Sequence, residues 1–584
     1  MVVMSAKKRE IRRMSSIAPF GVGAVWESEG ESFIAMDISR WKDLGSPIVL
    51  DRLALELKVS GLKSPITVSE KTSKGMPFYR FPHWHFCQRC RKMSTYDTKK
   101  REEIPKCASC ISAPNLVPMR FIGMCTKGHI FDIDWRNWAH SGPTGVSTCQ
   151  SKDIKWSEIS GGIGLEALSV KCQSCSSSRN LGSLMKWKPP CPGRHPWQES
   201  GFATTCEGVP QVSQRGNSSV WFSSMASALD IPPESDWQEE DALSPAITND
   251  FSFLNLLDQA PGGFFESDEI RKIAARHFVS IDVVTKLLES GRKGAISSPS
   301  PTTISLRVGE WAAFHSGPTK DERSRFVIEP ENLSPIREAV NSGKIPIWTE
   351  TIDQVIRVKR LREVRALIGF TRIEEAGDNC ELIPASLDPS VDWLPAYEVF
   401  GEGVFLTLNE KRLKEWEAKS EVIDRIQKLT GDALNIKQSH NVGEISPRLY
   451  LLHTFSHLLI RQLAFEAGYP SASLRERLYI TEENSPVEMA GVLIYTAASD
   501  SVGSMGGLAR QAKPEHLVST IAGALRTADW CSLDPVCSES RSGERGLNQA
   551  ACHACALMPE TSCELYNLYL DRSLLVHPNY GFMR

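Results

Sequence analysis

Cys87-Gln-Arg-Cys90, sixteen further residues and then Cys107-Ala-Ser-Cys110 form the most decisive stretch of this 584-residue chain. A Cys-x-x-Cys knuckle sets two thiolates on one side of a tight turn, and two knuckles complete a tetrahedron of sulfur around one ion. The spacing is that of a zinc ribbon. Four thiolates leave no open position, so the expected Zn2+ is structural and not catalytic. The loop between the knuckles sets Arg91, Lys92, Lys99, Lys100, Arg101 and Lys106 against Asp97, Glu102 and Glu103, and reads as a solvated charged loop before it reads as a phosphate contact.

Outward from this stretch the cysteines are unevenly placed. Of sixteen, ten lie between Cys87 and Cys206, one is Cys380, and five lie between Cys531 and Cys563. The basic segment Lys7 to Arg13 precedes a mildly apolar run, but Pro19, Gly21 and Gly23 interrupt that run and no small-residue cleavage site follows. The chain is therefore expected in the cytoplasm, where close-set cysteines mean metal and not disulfides. A second cluster offers Cys125, His129, His140, Cys149, Cys172, Cys175, Cys191, His195 and Cys206. Cys172 and Cys175 are one knuckle. Its partners are either Cys149 and Cys191, the preferred all-thiolate set, or Cys125 and His129, and two ions would accommodate both. A third cluster, Cys531, Cys537, Cys552 and Cys555, supplies four thiolates, with Cys563 as a redundant fifth and His553 outside the ligand set.

Composition bounds the rest. A hydrophobic fraction of 41%, a charged fraction of 23% and a net charge of −3 describe a folded multidomain chain with no bulk attraction to nucleic acid. No segment would span a bilayer: the longest apolar-rich stretch, 449–467, contains Arg461, two histidines and a glutamine. Helical and strand patterns alternate, which predicts a mixed α/β, multidomain architecture with zinc-ribbon-like clusters in the N-terminal half and a four-cysteine zinc site near the C-terminus. The expected divisions are a β-rich region at 1–82, a zinc-binding region at 83–210, a middle α/β region at 211–445 and a zinc-binding domain at 446–584. Residues 211–241 read as a linker, 268–290 and 353–368 as helices, 393–408 as β with a bulge or turn at Gly401 and Gly403, and 447–467 as a helix capped by Gly468.

His453 and His457 stand four apart on that last helix, the spacing by which two imidazoles share a metal. Thr454 occupies the place of the glutamate a metalloprotease needs, and the leucines around the pair make satisfied core histidines the favoured reading. Arg357, Arg360, Arg362 and Arg365 interleave with Val358, Leu361, Val364 and Leu367, so that a helix would pack one face and offer the other to DNA phosphates; a solvated or acid-paired face is the competing reading. No phosphate loop occurs, since Gly343-Lys344 is followed by Ile345, and no Gly-x-Ser-x-Gly elbow occurs either.

Leu451-Leu-His-Thr-Phe-Ser-His-Leu-Leu-Ile-Arg-Gln-Leu463, Tyr479, the stretch 493–508 and the stretch 550–564 resemble the DrmB component of the bacterial DISARM anti-phage system, with looser likeness at 12–24, 125–138, 365–372 and 393–406. The last 140 residues also resemble the C-terminal domain of MrfA-type DNA-repair helicases, where a Tyr-Asp, a glycine-rich turn, a helix and four cysteines occur in order. Tyr495, Gly503 to Gly507 and Cys531, Cys537, Cys552 and Cys555 occupy those places here, with a wider gap between Cys537 and Cys552 that leaves the fourth ligand open. Those helicases carry their motor on the same chain. The resemblance thus implies a motor in trans, a DrmA-like helicase, and a non-catalytic zinc-binding subunit that engages foreign DNA through the complex. The alternative is a metal-dependent hydrolase or nuclease centred on His453 and His457.

Overall fold

The computed structural model describes residues 11–41, 45–66, 75–96, 104–142, 149–158, 163–198, 205–231, 264–277, 306–319, 324–343, 346–374, 380–430, 445–481, 487–496, 507–542, 546–559, 562–565 and 567–584, with single positions or pairs at 252–253, 256, 281, 284–285, 288 and 321. Helices and strands are mixed throughout. The chain divides into two units, Met1–Ser227 with Val364–Tyr397, and Ala228–Glu363 with Glu398–Arg584.

In the first unit the strands Ser178–Asn180, Leu168–Cys172, Ile154–Glu158, Lys92–Thr95, Trp84–Phe86 and Val117–Pro118 make a six-stranded sheet in that order. Its core is aromatic: Trp135 and Trp138, from a short helix Trp135–His140 capped by the Asp134 side chain, are fully buried beside Ile154 and Val170. A three-stranded sheet, Ile130–Asp132, Phe121–Cys125 and Pro210–Gln214, lies in the same unit. Residues 211–241 were expected as a linker, yet Pro210–Gln214 pairs antiparallel with Phe121–Cys125, and Phe222–Leu229 is a strand. Val212 and Ser213 of the first of these strands are buried, so polar composition alone did not distinguish it from a linker. Residues 232–241 lie outside the described residues. Near the N-terminus, Val25–Ser28 is a strand and Asp51–Glu56 a short helix.

The second unit is built on the helix Pro447–Ala467. Ser446 caps its first turn by accepting from the Leu449 amide, Pro447 stands at its first position, and Gly468 ends it in the left-handed conformation at φ 72°. Fourteen of its 21 residues are buried, so it is a core helix and not an amphipathic surface one. The strands Leu474–Ile480 and Ala490–Thr496 and the helices Pro514–Asp529 and Ser573–Val576 enclose it. Ala490–Thr496 pairs with Leu394–Leu408, a continuous strand without the expected turn at Gly401 and Gly403. A Cβ at Gly403 would come within 2.5 Å of the Ile494 carbonyl oxygen, so glycine there answers a close backbone approach.

The expected helix at 353–368 is a strand, Ile352–Thr371, twenty residues long. Its pairing with Val327–Pro330 shifts register between Val327 and Ile328, opposite Arg360 and Val358. The bulge accounts for the step from 358 to 361; beyond it both faces of the strand are buried, from Leu361 through Val364 and at Ala366 and Leu367, so no period of two survives and apolar residues spaced by three imitate a helix. The four arginines consequently do not form an exposed stripe. Arg362 is 1% exposed and bonded to Asp230 at 2.9 Å and to Glu398. Arg357 pairs with Glu329 at 2.8 Å and Glu331 at 3.0 Å, Arg360 donates to the Ser324 carbonyl, and Arg365 lies 6.0 Å from the Tyr397 ring centre.

Candidate metal centres

All sixteen cysteines are free thiols, and fifteen of them converge in five groups of four donors, two made of cysteine alone and three that include histidine. Zn–S bonds of about 2.3 Å in a tetrahedron require S···S edges of about 3.8 Å, far longer than the S–S bond of a disulfide, about 2.0 Å. That separation tests each group.

Cys87, Cys90, Cys107 and Cys110 come together, with Cys87 Sγ 3.8 Å from Cys110 and Cys90 Sγ 3.6 Å from Cys107. Cys87 follows the strand Trp84–Phe86, and Arg91 at φ 63° turns the chain back so that its amide donates to the Cys87 carbonyl. The first knuckle is therefore locally encoded. Burial raises the Cys87 thiol, but the Cys90 and Arg89 amides outweigh it and bring the group to about 7, favouring thiolate.

The second cluster separates into two groups, and neither is the preferred set of Cys149, Cys172, Cys175 and Cys191. Cys149, Cys172 and Cys175 converge with His140, whereas Cys191 joins Cys125, His129 and Cys206. Cys149 Sγ lies 3.9 Å from Cys172, and His140 completes the first group from the end of the helix Trp135–His140. The His140 Nδ1 donates to the Arg136 carbonyl at 2.7 Å, which fixes the tautomer and leaves a buried Nε2 with no hydrogen-bond partner. An imidazole oriented in this way is prepared to ligate a metal through Nε2.

In the other group, Cys125 Sγ is 3.7 Å from both Cys191 and Cys206, and His129 Nδ1 is 3.3 and 3.4 Å from Cys125 and Cys206. The Gly193 and Gly208 amides donate to the Cys191 and Cys206 sulfurs. A hydrogen bond from Cys191, then burial in opposition, then His129 bring the Cys125 thiol down to about 4. The loop is held from behind. Gly128, at φ 74°, has no room for a Cβ beside Ile383, and its carbonyl accepts from the fully buried Arg372, whose guanidinium also reaches the Gly23 and Val220 carbonyls. Burial brings that guanidinium down to about 9. His195 stacks on His129 at 4.5 Å but is not among the converging donors; burial, with the charges on His129 and Arg372, pushes it down to about 4 and keeps it neutral.

In the second unit Cys531, Cys537, Cys552 and Cys555 converge, with S···S separations of 3.5, 3.7 and 3.7 Å. The Asp534 carboxylate holds the turn by accepting from the Cys531 amide at 2.7 Å and pairing with Arg572 at 2.6 Å. Cys563 stands apart from this group and faces His453 and His457. His553 contributes only its carbonyl, to Arg461. Three partners escaped the ligand sets drawn from spacing: His140, Cys206 and Glu476. The Cys-x-Gly pattern shared by Cys191 and Cys206, in which the glycine amide donates back to sulfur, is the signal that pairs those two.

Two family profiles match the chain. One is the MrfA Zn-binding domain, over residues 455–556, which places the C-terminal region in a class defined by zinc binding and agrees with the thiolate group found there. The other, over residues 12–222, is described as a Domain of unknown function (DUF8724). Over nearly its whole length the chain is similar to the DISARM protein DrmB of Bacillus paralicheniformis: 28% identical over 579 residues, covering 94% of this chain and 97% of that protein. Both resemblances drawn from the sequence are thereby borne out.

Proposed function

We propose that the chain is a zinc-stabilised, non-catalytic subunit of a DISARM-type anti-phage complex, which partners a DrmA-like helicase in the cytoplasm and engages foreign DNA through it. The end-to-end similarity to a DISARM DrmB carries this reading. The donor chemistry supports it: Cys87, Cys90, Cys107 and Cys110; Cys125, His129, Cys191 and Cys206; His140, Cys149, Cys172 and Cys175; and Cys531, Cys537, Cys552 and Cys555 are four sets of four soft donors. Each set fills a tetrahedron and leaves no position for an activated water, so zinc there contributes folding energy and not chemistry. Among the described residues no helix is long and apolar enough to cross a membrane. The hydrolase alternative at His453 and His457 is opposed by burial: both imidazoles are fully buried, which leaves no path for a substrate to reach them.

The reading is tested by co-expressing the tagged chain with a DrmA-like helicase. Expected are co-elution on size exclusion and ATP turnover only in fractions containing the helicase. Separate elution, or turnover by the chain freed of helicase, overturns it.

A further inference from the structure

We propose a fifth metal site, of mixed ligands, formed by His453, His457, Glu476 and Cys563. All four donor atoms lie within 4.8 Å of one another. His453 Nε2 is 3.1 Å from Cys563 Sγ and 3.1 Å from Glu476 Oε1; His457 Nε2 is 3.3 Å from the sulfur and 3.6 Å from the same carboxylate oxygen. A zinc tetrahedron with Zn–N and Zn–O bonds of about 2.0 Å and a Zn–S bond of about 2.3 Å has N···O edges of about 3.3 Å and N···S edges of about 3.5 Å. The cluster already has nearly these dimensions. Both histidines and Glu476 are buried, at 0, 0 and 2% exposure, where water cannot satisfy them.

The far side of most donors is held so that a lone pair faces the centre. His457 Nδ1 donates to the Ala556 carbonyl at 2.9 Å, leaving Nε2 as the ligand atom. Glu476 accepts from Ser456 Oγ and, at 3.0 Å, from the Glu564 amide. The Leu565 and Asn567 amides donate to Cys563 Sγ at 3.3 and 3.2 Å, the arrangement that favours thiolate in the knuckles of the other sites. Two neutral imidazoles, one thiolate and one carboxylate balance a dication. Nitrogen and sulfur donors select a zinc-class transition ion over Mg2+ or Ca2+. Four protein ligands close the site, so the ion is structural. It ties the helix Pro447–Ala467 and the strand Leu474–Ile480 to the segment that follows Cys552 and Cys555, and so braces the thiolate site through Ala556.

The experiment is anomalous diffraction at the zinc edge on crystals of the full chain grown without chelator, together with metal counting in solution. A peak between His453, His457, Glu476 and Cys563, in addition to the four peaks at the sulfur-rich sets, is expected. No peak there while the other four are present overturns this site and leaves the proposed function intact. In solution, Cys563→Ala and His453→Gln should each lower zinc from five to four ions per chain, and their combination should also give four. Four ions in the wild type, unchanged in Cys563→Ala, overturns the site without requiring that either variant crystallise.

Discussion

Cys172 and Cys191 test the partition of the second cluster. Spacing favours one site shared by both, whereas the structure sets Cys172 with His140, Cys149 and Cys175, and Cys191 3.7 Å from Cys125. Each substitution to serine removes one of four donors from a closed set. Because zinc at such sites is bound with about 10–16 kcal/mol in small peptides, and loses much of that with a missing thiolate, each single variant should lose about one whole ion. The double variant then decides. Separate sites predict that Cys172→Ser/Cys191→Ser loses two ions, and a shared site predicts that it loses one. The assay is metal per polypeptide by mass spectrometry on the folded size-exclusion fraction, after brief exposure to a moderate chelator. Any ion at His453 and His457 adds equally to all four proteins and cancels in the differences. A double variant that loses no more zinc than either single variant would refute the partition.

Arg362→Met should destabilise the second unit by roughly 3–5 kcal/mol, because it removes the buried cation between Asp230 and Glu398, and Asp230→Asn on that background should recover part of the loss in chemical denaturation. A stable Arg362→Met protein whose complex binds DNA with a flatter salt dependence would restore the phosphate-contact reading instead. His83 is held 2.7 Å from Asp132; burial opposes its charge, but the hydrogen bond and the charge of Asp132 prevail and raise its pKa. A raised folded-state value means stabilisation present in full below the unfolded value of about 6.5 and lost as pH rises through the folded one. With the imidazole 37% exposed the pair contributes no more than about 1 kcal/mol, so His83→Gln should lower stability near pH 5.5 and approach wild type near pH 8.5. A gap that widens with pH contradicts this sign.

Whatever depends on neighbours along the chain was legible in the residues alone. A Cys-x-x-Cys turn is closed by its own amides, so the knuckles at Cys87, Cys107, Cys172 and Cys552 were legible, and so was the helix Pro447–Ala467 between its serine cap and its terminal glycine. The similarity to DrmB was also carried by local runs of residues. Which donors converge depends on the folded chain, because Cys206 is brought to Cys125 by the pairing of Pro210–Gln214 with Phe121–Cys125, and His140 to Cys172 by the placement of its helix, neither of which any spacing encodes. The same holds for 352–371, where one bulge and the burial of both strand faces erased the alternation expected of a strand, and the carboxylates that neutralise its arginines arrive from residues 230, 329, 331 and 398. Glu476 shows the limit most plainly. Nothing within the strand Leu474–Ile480 marks one glutamate as a ligand; it becomes one only because burial against His453, His457 and Cys563 denies it water and leaves a cation as its natural partner.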